Sequence, residues 1–236
     1  MKKSLFLIIC IAVSMSFVSC DKEESNPFSP EGVPEPLMHN GHEYVDLGIV
    51  DDYRHPIYWA TYNVGATKSE DYGGYFAWGE TEEKTSYDRG NYKYYLQTNV
   101  PTKYNLEDQI RVLEATDDAA SVNWGGLWRT PTQMDFFLLH KYCTWTKVEK
   151  NGVVGYKVVG KNGNSIFLPC SGYVSGSEKR KVGSGFLYWT SQTDYLINGI
   201  YGAWYLTLNN DLSINWCDSG MRYCGQSVRP VFNPEE

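Results

Sequence analysis

Residues 123–139 read Asn-Trp-Gly-Gly-Leu-Trp-Arg-Thr-Pro-Thr-Gln-Met-Asp-Phe-Phe-Leu-Leu, and they contain the clearest helix start in the chain. Thr130 is placed to cap the helix, Pro131 suits its first position because a missing N–H costs nothing there, and Gln133 stands three residues after the cap. The stretch therefore predicts a helix with a capping box at Thr130. Gly125 and Gly126 predict a tight turn just before it.

The apolar residues of this helix recur at helical spacing. Met134, Phe137 and Leu138 form one stripe that is expected to face a core, whereas Asp135 is expected on the wetter side. The helix should end near Cys143. Most of the chain after residue 150 reads as strands, so the helix has a sheet to lie on.

Alternating runs elsewhere predict three β-hairpins. Asn162 and Gly163 predict a type I′ turn in the second hairpin, since both residue types accept positive φ angles. The predicted strand pairs are 43–47 with 57–62, 155–159 with 165–169, and 203–208 with 212–216.

The remaining segments are less regular. Residues 73–80 are aromatic and bracketed by glycines, which is typical of a short buried strand or a closely packed loop. Residues 84–105 form a polar loop that should either pack on the body or bind something, and its tyrosines are candidates for exposure. Residues 106–115 are predicted to form a short helix. Together the pattern predicts an α+β fold with a bent, mostly antiparallel sheet and two helices.

Composition indicates one globular domain. The 236 residues are 42% hydrophobic and 15% aromatic, which is enough for one sizeable core, and the globular part shows no internal linker. The formal net charge is −7, and loss of the two leader lysines would leave 19 basic against 28 acidic residues. This acidity disfavours nucleic acid as a partner.

The amino-terminal region resembles that of an exported lipoprotein. Residues 1–19 are a basic start followed by a short apolar run, which predicts a signal peptide. Residues 17–20, Phe-Val-Ser-Cys, resemble a bacterial lipobox, although Phe17 stands where leucine is usual. Cys20 is therefore expected to be lipidated; the alternative is an ordinary signal peptide whose cleavage site contains cysteine.

A tether should follow the lipidated cysteine. Residues 21–24, Asp-Lys-Glu-Glu, resemble the export tag of surface lipoproteins in the Bacteroidetes, and residues 20–38 contain four prolines that favour an extended chain. Residues 39–233 then form the single domain. The expected location is the outer membrane, lipid-anchored and facing the cell exterior.

Short motifs recur in a recognisable order over about residues 41–232. They include Tyr-Val-Asp-Leu-Gly at 44–48, Asn-Val-Gly-Ala at 63–66, Tyr-Phe-Ala-Trp-Gly-Glu at 75–80, Asn-Trp-Gly-Gly at 123–126, Tyr-Trp-Thr-Ser at 188–191 and Ser-Val-Arg-Pro-Val at 227–231. In this order they resemble the Fibrobacter succinogenes major paralogous domain. The resemblance implies a secreted or surface domain whose molecular function is not established.

A more distant similarity bears on the fold. Trp-Arg-Thr-Pro-Thr at 128–132 and Val-Arg-Pro-Val at 228–231 are similar to elements of the formylglycine-generating enzymes, whose fold is a variant of the C-type lectin fold. This similarity implies a C-type lectin-like fold, by analogy only.

An even set of cysteines in an exported chain suggests disulfides. Cys217 and Cys224 flank a glycine-containing turn at 218–223, so a bridge between them is the preferred pairing. The same pair resembles the catalytic cysteines of the formylglycine-generating enzymes, although six residues separate it here and the rest of that active site is not visible. The four cysteines that remain when Cys20 is lipidated are Cys143, Cys170, Cys217 and Cys224.

No cofactor is expected. The four histidines, His39, His42, His55 and His140, lack the spacing of zinc ligands. Calcium stays open as an alternative, because oxygen ligands are available. The preferred interpretation of Asn-Asn-Asp at 209–211 is nevertheless a turn, because these residue types favour turns. The oxygen-bearing candidates are Asn209, Asn210 and Asp211, or Asn215 with Asp218.

Two arginines lie inside the family-like motifs. Arg129 and Arg229 are expected to be structural clamps that pair with a carboxylate such as Asp117 or Asp118. The tryptophans expected in the core are Trp59, Trp78, Trp128, Trp189 and Trp204, whereas Trp216 is expected to be exposed.

A ligand site is predicted at one end of the carboxy-terminal sheet. The loops 193–202, 209–211 and 217–223 punctuate the same sheet and are expected to converge, although solvated turns are the alternative. Their rings and polar groups suit a shallow polar ligand. The candidate ligand-binding residues are Tyr195, Tyr201, Asn209, Asp211, Trp216, Asp218 and Arg222.

These features predict a non-enzymatic surface lipoprotein that binds an extracellular glycan or protein through a lectin-like domain. No serine–histidine–aspartate order and no phosphate-cradling glycine loop stands out in the sequence. The alternatives are a thiol-dependent oxidase related to the formylglycine-generating enzymes and a structural surface component.

Overall fold

The computed structural model describes residues 35–95, 100–193 and 201–235, apart from the side chains of 216–220. Residues Pro36–Glu236 form one compact unit. The signal peptide, Cys20 and most of the tether lie outside the described residues. The first strand begins at Leu37, inside the segment assigned to the tether by sequence.

The described residues form two α-helices, two single-turn 3₁₀ helices at Arg89–Asn91 and Ala115–Asp117, and twelve short strands. The helices are α1 (Ala119–Trp124) and α2 (Gln133–Tyr142). The strands are β1 (Leu37–His39), β2 (His42–Val50), β3 (Pro56–Ala60), β4 (Thr144–Lys150), β5 (Val153–Val159), β6 (Ser165–Pro169), β7 (Tyr173–Ser175), β8 (Glu178–Arg180), β9 (Tyr188–Trp189), β10 (Gly202–Leu208), β11 (Ile214–Met221) and β12 (Val231–Phe232).

All strand pairs within the described sheets are antiparallel, which confirms the predicted α+β class. The sheets have the strand orders β1-β2-β3-β12, β11-β10-β9, β4-β5-β6 and β7-β8. The pairing of β12 with β3 brings the end of the chain beside its first hairpin. Val231 and Arg129 extend this junction by exchanging backbone hydrogen bonds of 3.0 and 2.9 Å.

All three predicted hairpins form, but one turn differs from its prediction. Gly163 has a φ of 87°, whereas Asn162 is absent from the residues with positive φ, so the turn is not type I′. Asn162 instead donates from Nδ2 to the carbonyl of Asp46, at 2.9 Å. This long-range hydrogen bond anchors the turn to β2.

Helix α2 starts two residues later than predicted. Its cap is Thr132, whose Oγ1 accepts from the Asp135 amide at 3.1 Å, while the Asp135 carboxylate accepts from the Thr132 amide at 2.7 Å. Arg129 donates to the same carboxylate at 2.6 Å. Asp135 is therefore buried rather than wet.

The inward turn of Asp135 changes the buried face of α2. Phe136 and Leu139 are fully buried, whereas Met134 is 50% and Phe137 is 43% exposed. The predicted stripe was wrong at Met134 and Phe137 because hydrophobic spacing alone did not account for the cap and the ion pair. The predicted end near Cys143 is confirmed.

Residues 106–115 do not form the predicted helix. The Asn105 side chain accepts from the amide of Glu107 at 2.7 Å, and Asp108 accepts from the Asn105 amide at 3.0 Å. Such local side-chain bonds compete with a helix. Gln109 also has a φ of 55°, in the left-handed region, which interrupts a helical turn.

The core is predominantly aromatic. Four of the five predicted core tryptophans are buried, and Trp204 is half-buried. The tyrosines of residues 84–105 were predicted to be exposed, but Tyr87, Tyr92 and Tyr94 are buried, as is Tyr104. The hydroxyl of Tyr92 donates to the Trp78 carbonyl at 2.6 Å, so the loop packs onto the segment 75–80.

Candidate functional site

Those predicted ligand-binding residues that the structure describes lie at two different ends of one hairpin. Tyr201 and Arg222 flank the end of the β10–β11 hairpin where Gly202 pairs with Met221, whereas Asn209 and Asp211 lie in the turn at its other end. Six residue steps of strand separate the two ends, about 20 Å at the usual rise per residue. The expected convergence of these loops was therefore wrong.

Arg222 is a buried structural residue. Its Nε donates to the Gly202 carbonyl at 2.9 Å, Nη1 donates to the Tyr104 carbonyl at 3.0 Å, and Nη2 donates to Thr193 Oγ1. The guanidinium carbon lies 4.9 Å from the ring centroid of Trp78. Arg222 is fully buried and Tyr201 is 8% exposed, so neither offers a surface to a ligand.

Asn209 and Asp211 stabilise their own turn. Asn209 donates from Nδ2 to Ser213 Oγ at 2.9 Å, and Asp211 accepts from the Ser213 amide and hydroxyl at 3.0 and 2.6 Å. The Ser213 hydrogen bonds also lower the pKa of Asp211. Among the residues that the structure describes, no group of three or more His, Cys, Asp or Glu side chains is arranged to hold a metal ion.

The other predicted ligand residues are only partly described. Trp216 and Asp218 lie in β11, which runs on to Met221, so the segment predicted as a turn from 217 is mostly strand. Their side chains lie outside the described residues, as does all of Tyr195.

The expected bridge between Cys217 and Cys224 is not formed. Cys224 is a free thiol, as are Cys143 and Cys170, while the side chain of Cys217 lies outside the described residues. Burial raises the pKa of Cys224 and raises that of Cys143 to about 11. Both thiols are thus protonated at neutral pH, which makes them weak nucleophiles.

The two motif arginines are structural clamps, but not with the predicted partners. Arg129 pairs with Asp135, and Arg229 bonds the carbonyls of Ala60, Thr61 and Phe167. Asp118 instead caps α1, and Asp117 pairs with Lys93 and Lys103.

An open groove of about 550 Å³ lies beside α1. Its volume falls in the range of small-ligand sites. It was missed by sequence because its walls come from four separate segments. The groove is lined by His42, Val64, Gly65, Ala66, Thr67, Phe76, Thr81, Glu82, Glu83, Asn123 and Trp124.

One wall of this groove is aromatic. The ring of His42 stacks on the indole of Trp124, with centroids 3.9 Å apart and planes 2° from parallel. Trp124 also meets Tyr62 and Trp128 edge to face, at 5.5 and 5.1 Å. Burial lowers the pKa of His42, so this wall is uncharged at neutral pH.

The rest of the lining includes polar and acidic residues. Asn123 holds it to α1 by donating from Nδ2 to the carbonyls of Thr81 and Ala119, at 2.9 and 2.8 Å. Glu83 accepts from the Tyr75 amide at 3.3 Å, and Glu82 is exposed. The two carboxylates offer hydrogen-bond acceptors to a ligand in the groove.

A smaller opening of about 290 Å³ shares Thr81 and Glu82 with the groove. Its lining includes Lys84, which pairs with Glu80 at 2.8 Å, and Lys93, which pairs with Asp117 at 2.8 Å. Both lysines of the smaller opening are thus paired with carboxylates. The carboxylate of Glu82 lies on the shared rim and has no ion pair among the residues that the structure describes.

The groove gathers residues from three of the motifs that carry the family resemblance. Residues 63–66 contribute Gly65 and Ala66, residues 75–80 contribute Phe76, and residues 123–126 contribute Asn123 and Trp124. The order of these motifs was the available sequence signal for the groove. Their spacing along the chain could not show that they meet.

Comparisons with known proteins add no relative: no family model, curated protein or solved structure matches this chain. Within the described residues, no helix has the length and apolar character needed to cross a membrane.

Proposed function

We propose that this chain is a non-enzymatic surface lipoprotein of the outer membrane, anchored through Cys20 and facing the cell exterior. It presents one C-type lectin-like domain that binds an extracellular glycan or protein. The groove beside α1 carries this proposal, because it combines an open shape with an aromatic wall and unpaired hydrogen-bonding groups.

The groove chemistry suits a hydroxyl-rich ligand. Carboxylates such as Glu82 and Glu83 accept hydrogen bonds from hydroxyl groups, and charge-assisted bonds of this kind are the stronger ones. Thr67 and Thr81 add hydroxyls on the same lining. The antiparallel sheets and two helices support the lectin-like assignment at the level of architecture.

The test is a glycan-array and extracellular-matrix binding screen on the full-length chain purified in detergent. Glu82→Gln should weaken a ligand found in the screen by about tenfold, since it removes one charged hydrogen-bond acceptor. Glu107→Gln makes the same charge change at an exposed position outside the groove and should leave binding unchanged.

Two results would contradict the proposal. Binding that is unaffected by Glu82→Gln would place the ligand elsewhere, and failure to bind anything in the screen would favour a structural surface component. Copper-dependent oxygen consumption with a cysteine-containing peptide would establish the oxidase alternative. Thiol counting on the folded chain gives an independent reading, because an oxidase needs a reachable, redox-active cysteine.

A further inference from the structure

A second cleft, of about 490 Å³, lies against the β4-β5-β6 sheet and shares no lining residue with the groove beside α1. Its walls come from the sheet and from the segment that follows β3. Residues important to its chemistry are Thr61, Ser69, Val148, Lys150, Lys157 and Phe167.

The strand register places a cation and an aromatic ring on the same face of this sheet. Lys157 pairs directly with Phe167, so the two side chains point to one side. Gly155 makes room for the ring, because a Cβ there would lie 2.5 Å from Phe167 Cζ. The ring of Phe167 is nearly buried beside Lys157, and Lys150 Nζ lies 5.9 Å from its centroid.

Positive charge dominates the lining of the cleft. Lys157 is exposed and has no ion pair among the described residues. Lys150 pairs with Glu70 at 3.4 Å and donates to Ser69 Oγ at 2.5 Å. Glu70 is thus paired with Lys150, and within the described residues Lys157 has no counter-charge.

A third cation lies behind the cleft wall. The guanidinium of Arg229 is fully buried, and it donates to the carbonyl of Thr61 at 2.7 Å and to that of Phe167 at 2.9 Å. In the described chain no carboxylate contacts it. Burial lowers the pKa of Arg229 to about 10, so the group stays charged at neutral pH. A buried charge is poorly screened, so its field adds to that of Lys157 in the cleft.

Hydroxyl side chains also line the cleft. The Oγ1 of Thr61 is closed to solvent and has no hydrogen-bond partner among the described residues. Ser69 and Ser165 add two more hydroxyls to the lining.

We propose that this cleft binds an acidic sugar, whose carboxylate or sulfate is held by Lys157 in the field of Arg229. The apolar face of the sugar ring lies against Val148, and its hydroxyls bond Ser69 and Ser165. A polyol uses these hydroxyls better than an acidic peptide does, because a peptide side chain offers one anionic group and few donors. The site is separate from the groove beside α1 and does not depend on the function proposed for it.

Calorimetric titration of the full-length chain in detergent tests this assignment with trigalacturonate, galactose 6-sulfate and neutral galactotriose. At least one acidic sugar should bind, its affinity should fall as salt rises, and Lys157→Gln should weaken it by about tenfold. The tighter of the two acidic probes identifies carboxylate or sulfate as the preferred group. Ser165→Ala removes one hydroxyl from the lining and should weaken binding several-fold.

Lys147→Gln is the matched control. Lys147 is an exposed lysine of the same hairpin, but it pairs with Tyr156 in register and points to the opposite face of the sheet. An equal loss of affinity in Lys147→Gln would show that the acidic sugar is attracted by the basic surface in general, and it would overturn the proposed site. Equal binding of galactotriose, equal binding of a hexaglutamate peptide, or no binding of either acidic sugar at millimolar concentration would also overturn it.

Discussion

The imidazole of His42 lies flat on the indole of Trp124, with ring centroids 3.9 Å apart and an interplanar angle of 2°. His42 begins β2 and Trp124 ends α1, so this stack joins the first sheet to the helix that borders the groove. The contact fixes the position of the aromatic wall.

The stack predicts a pH dependence of stability. Burial lowers the pKa of His42 below 6.5 in the folded chain, so the unfolded chain takes up its proton first as the pH falls. The contribution of His42 to the free energy of unfolding is fully present above pH 6.5, and it is lost as the pH falls through the pKa of His42 in the folded chain. His42→Phe keeps a flat ring but does not titrate. Denaturant unfolding from pH 8 to 5 should therefore show a smaller change of the free energy of unfolding with pH in this variant. An unchanged slope would contradict the burial of His42.

Asp118 should be one of the most sensitive positions in the fold. Its buried carboxylate accepts from the amides of Ala120 and Ser121, at 2.8 and 3.2 Å, and from the amide and hydroxyl of Thr130, at 2.9 and 2.8 Å. Asp118→Ala removes a helix cap and leaves Thr130 unsatisfied, which should lower the free energy of unfolding by about 3 kcal/mol.

Denaturant unfolding measures this loss. Asp211→Ala is a suitable control, because Asp211 bonds only Ser213 in an exposed turn and should cost about 1 kcal/mol or less. Equal losses in the two variants would show that Asp118 does not connect α1 to the residues before α2.

Glu70 should contribute stability that is lost at acidic pH. The side chain of Asn151 donates to it at 2.6 Å, and this bond is the main reason that its pKa is lowered to about 2. The contribution is present above the ordinary carboxyl pKa of 4.5 and is lost as the pH falls through about 2.

Glu70→Gln should remove this part of the acid dependence. Thermal unfolding followed from pH 5 to 2 is the measurement, and Glu107→Gln should retain the wild-type slope. If the two variants behave alike, the bond between Glu70 and Asn151 does not persist in solution.

Lipidation can be tested directly on the chain. A clickable fatty acid supplied during growth should label the wild-type protein, and Cys20→Ala should abolish the label. Protease treatment of intact cells should release the domain if it faces the exterior. A label that persists in Cys20→Ala would remove the proposed anchor.

Local sequence was sufficient for the hairpins and for the end of α2. Each hairpin joins strands that are close along the chain, so its pattern and its turn residues lie within one short window. The same information placed Trp59, Trp78, Trp128 and Trp189 in the core. The helix cap was misplaced by two residues because Thr130 and Thr132 are both suitable caps. In the structure Thr132 forms the capping box with Asp135, whereas Thr130 donates to Asp118.

The groove and the cleft were decided by tertiary structure. His42 and Trp124 are 82 positions apart in the sequence, and Arg229 reaches Phe167 across 62 positions, so no local pattern relates them. The sequence by itself determined the α+β class, the hairpins and the aromatic core, because these follow from short-range periodicity and burial. Which side chains share a surface was determined by packing, since the free energy of each long-range contact depends on every segment that folds around it.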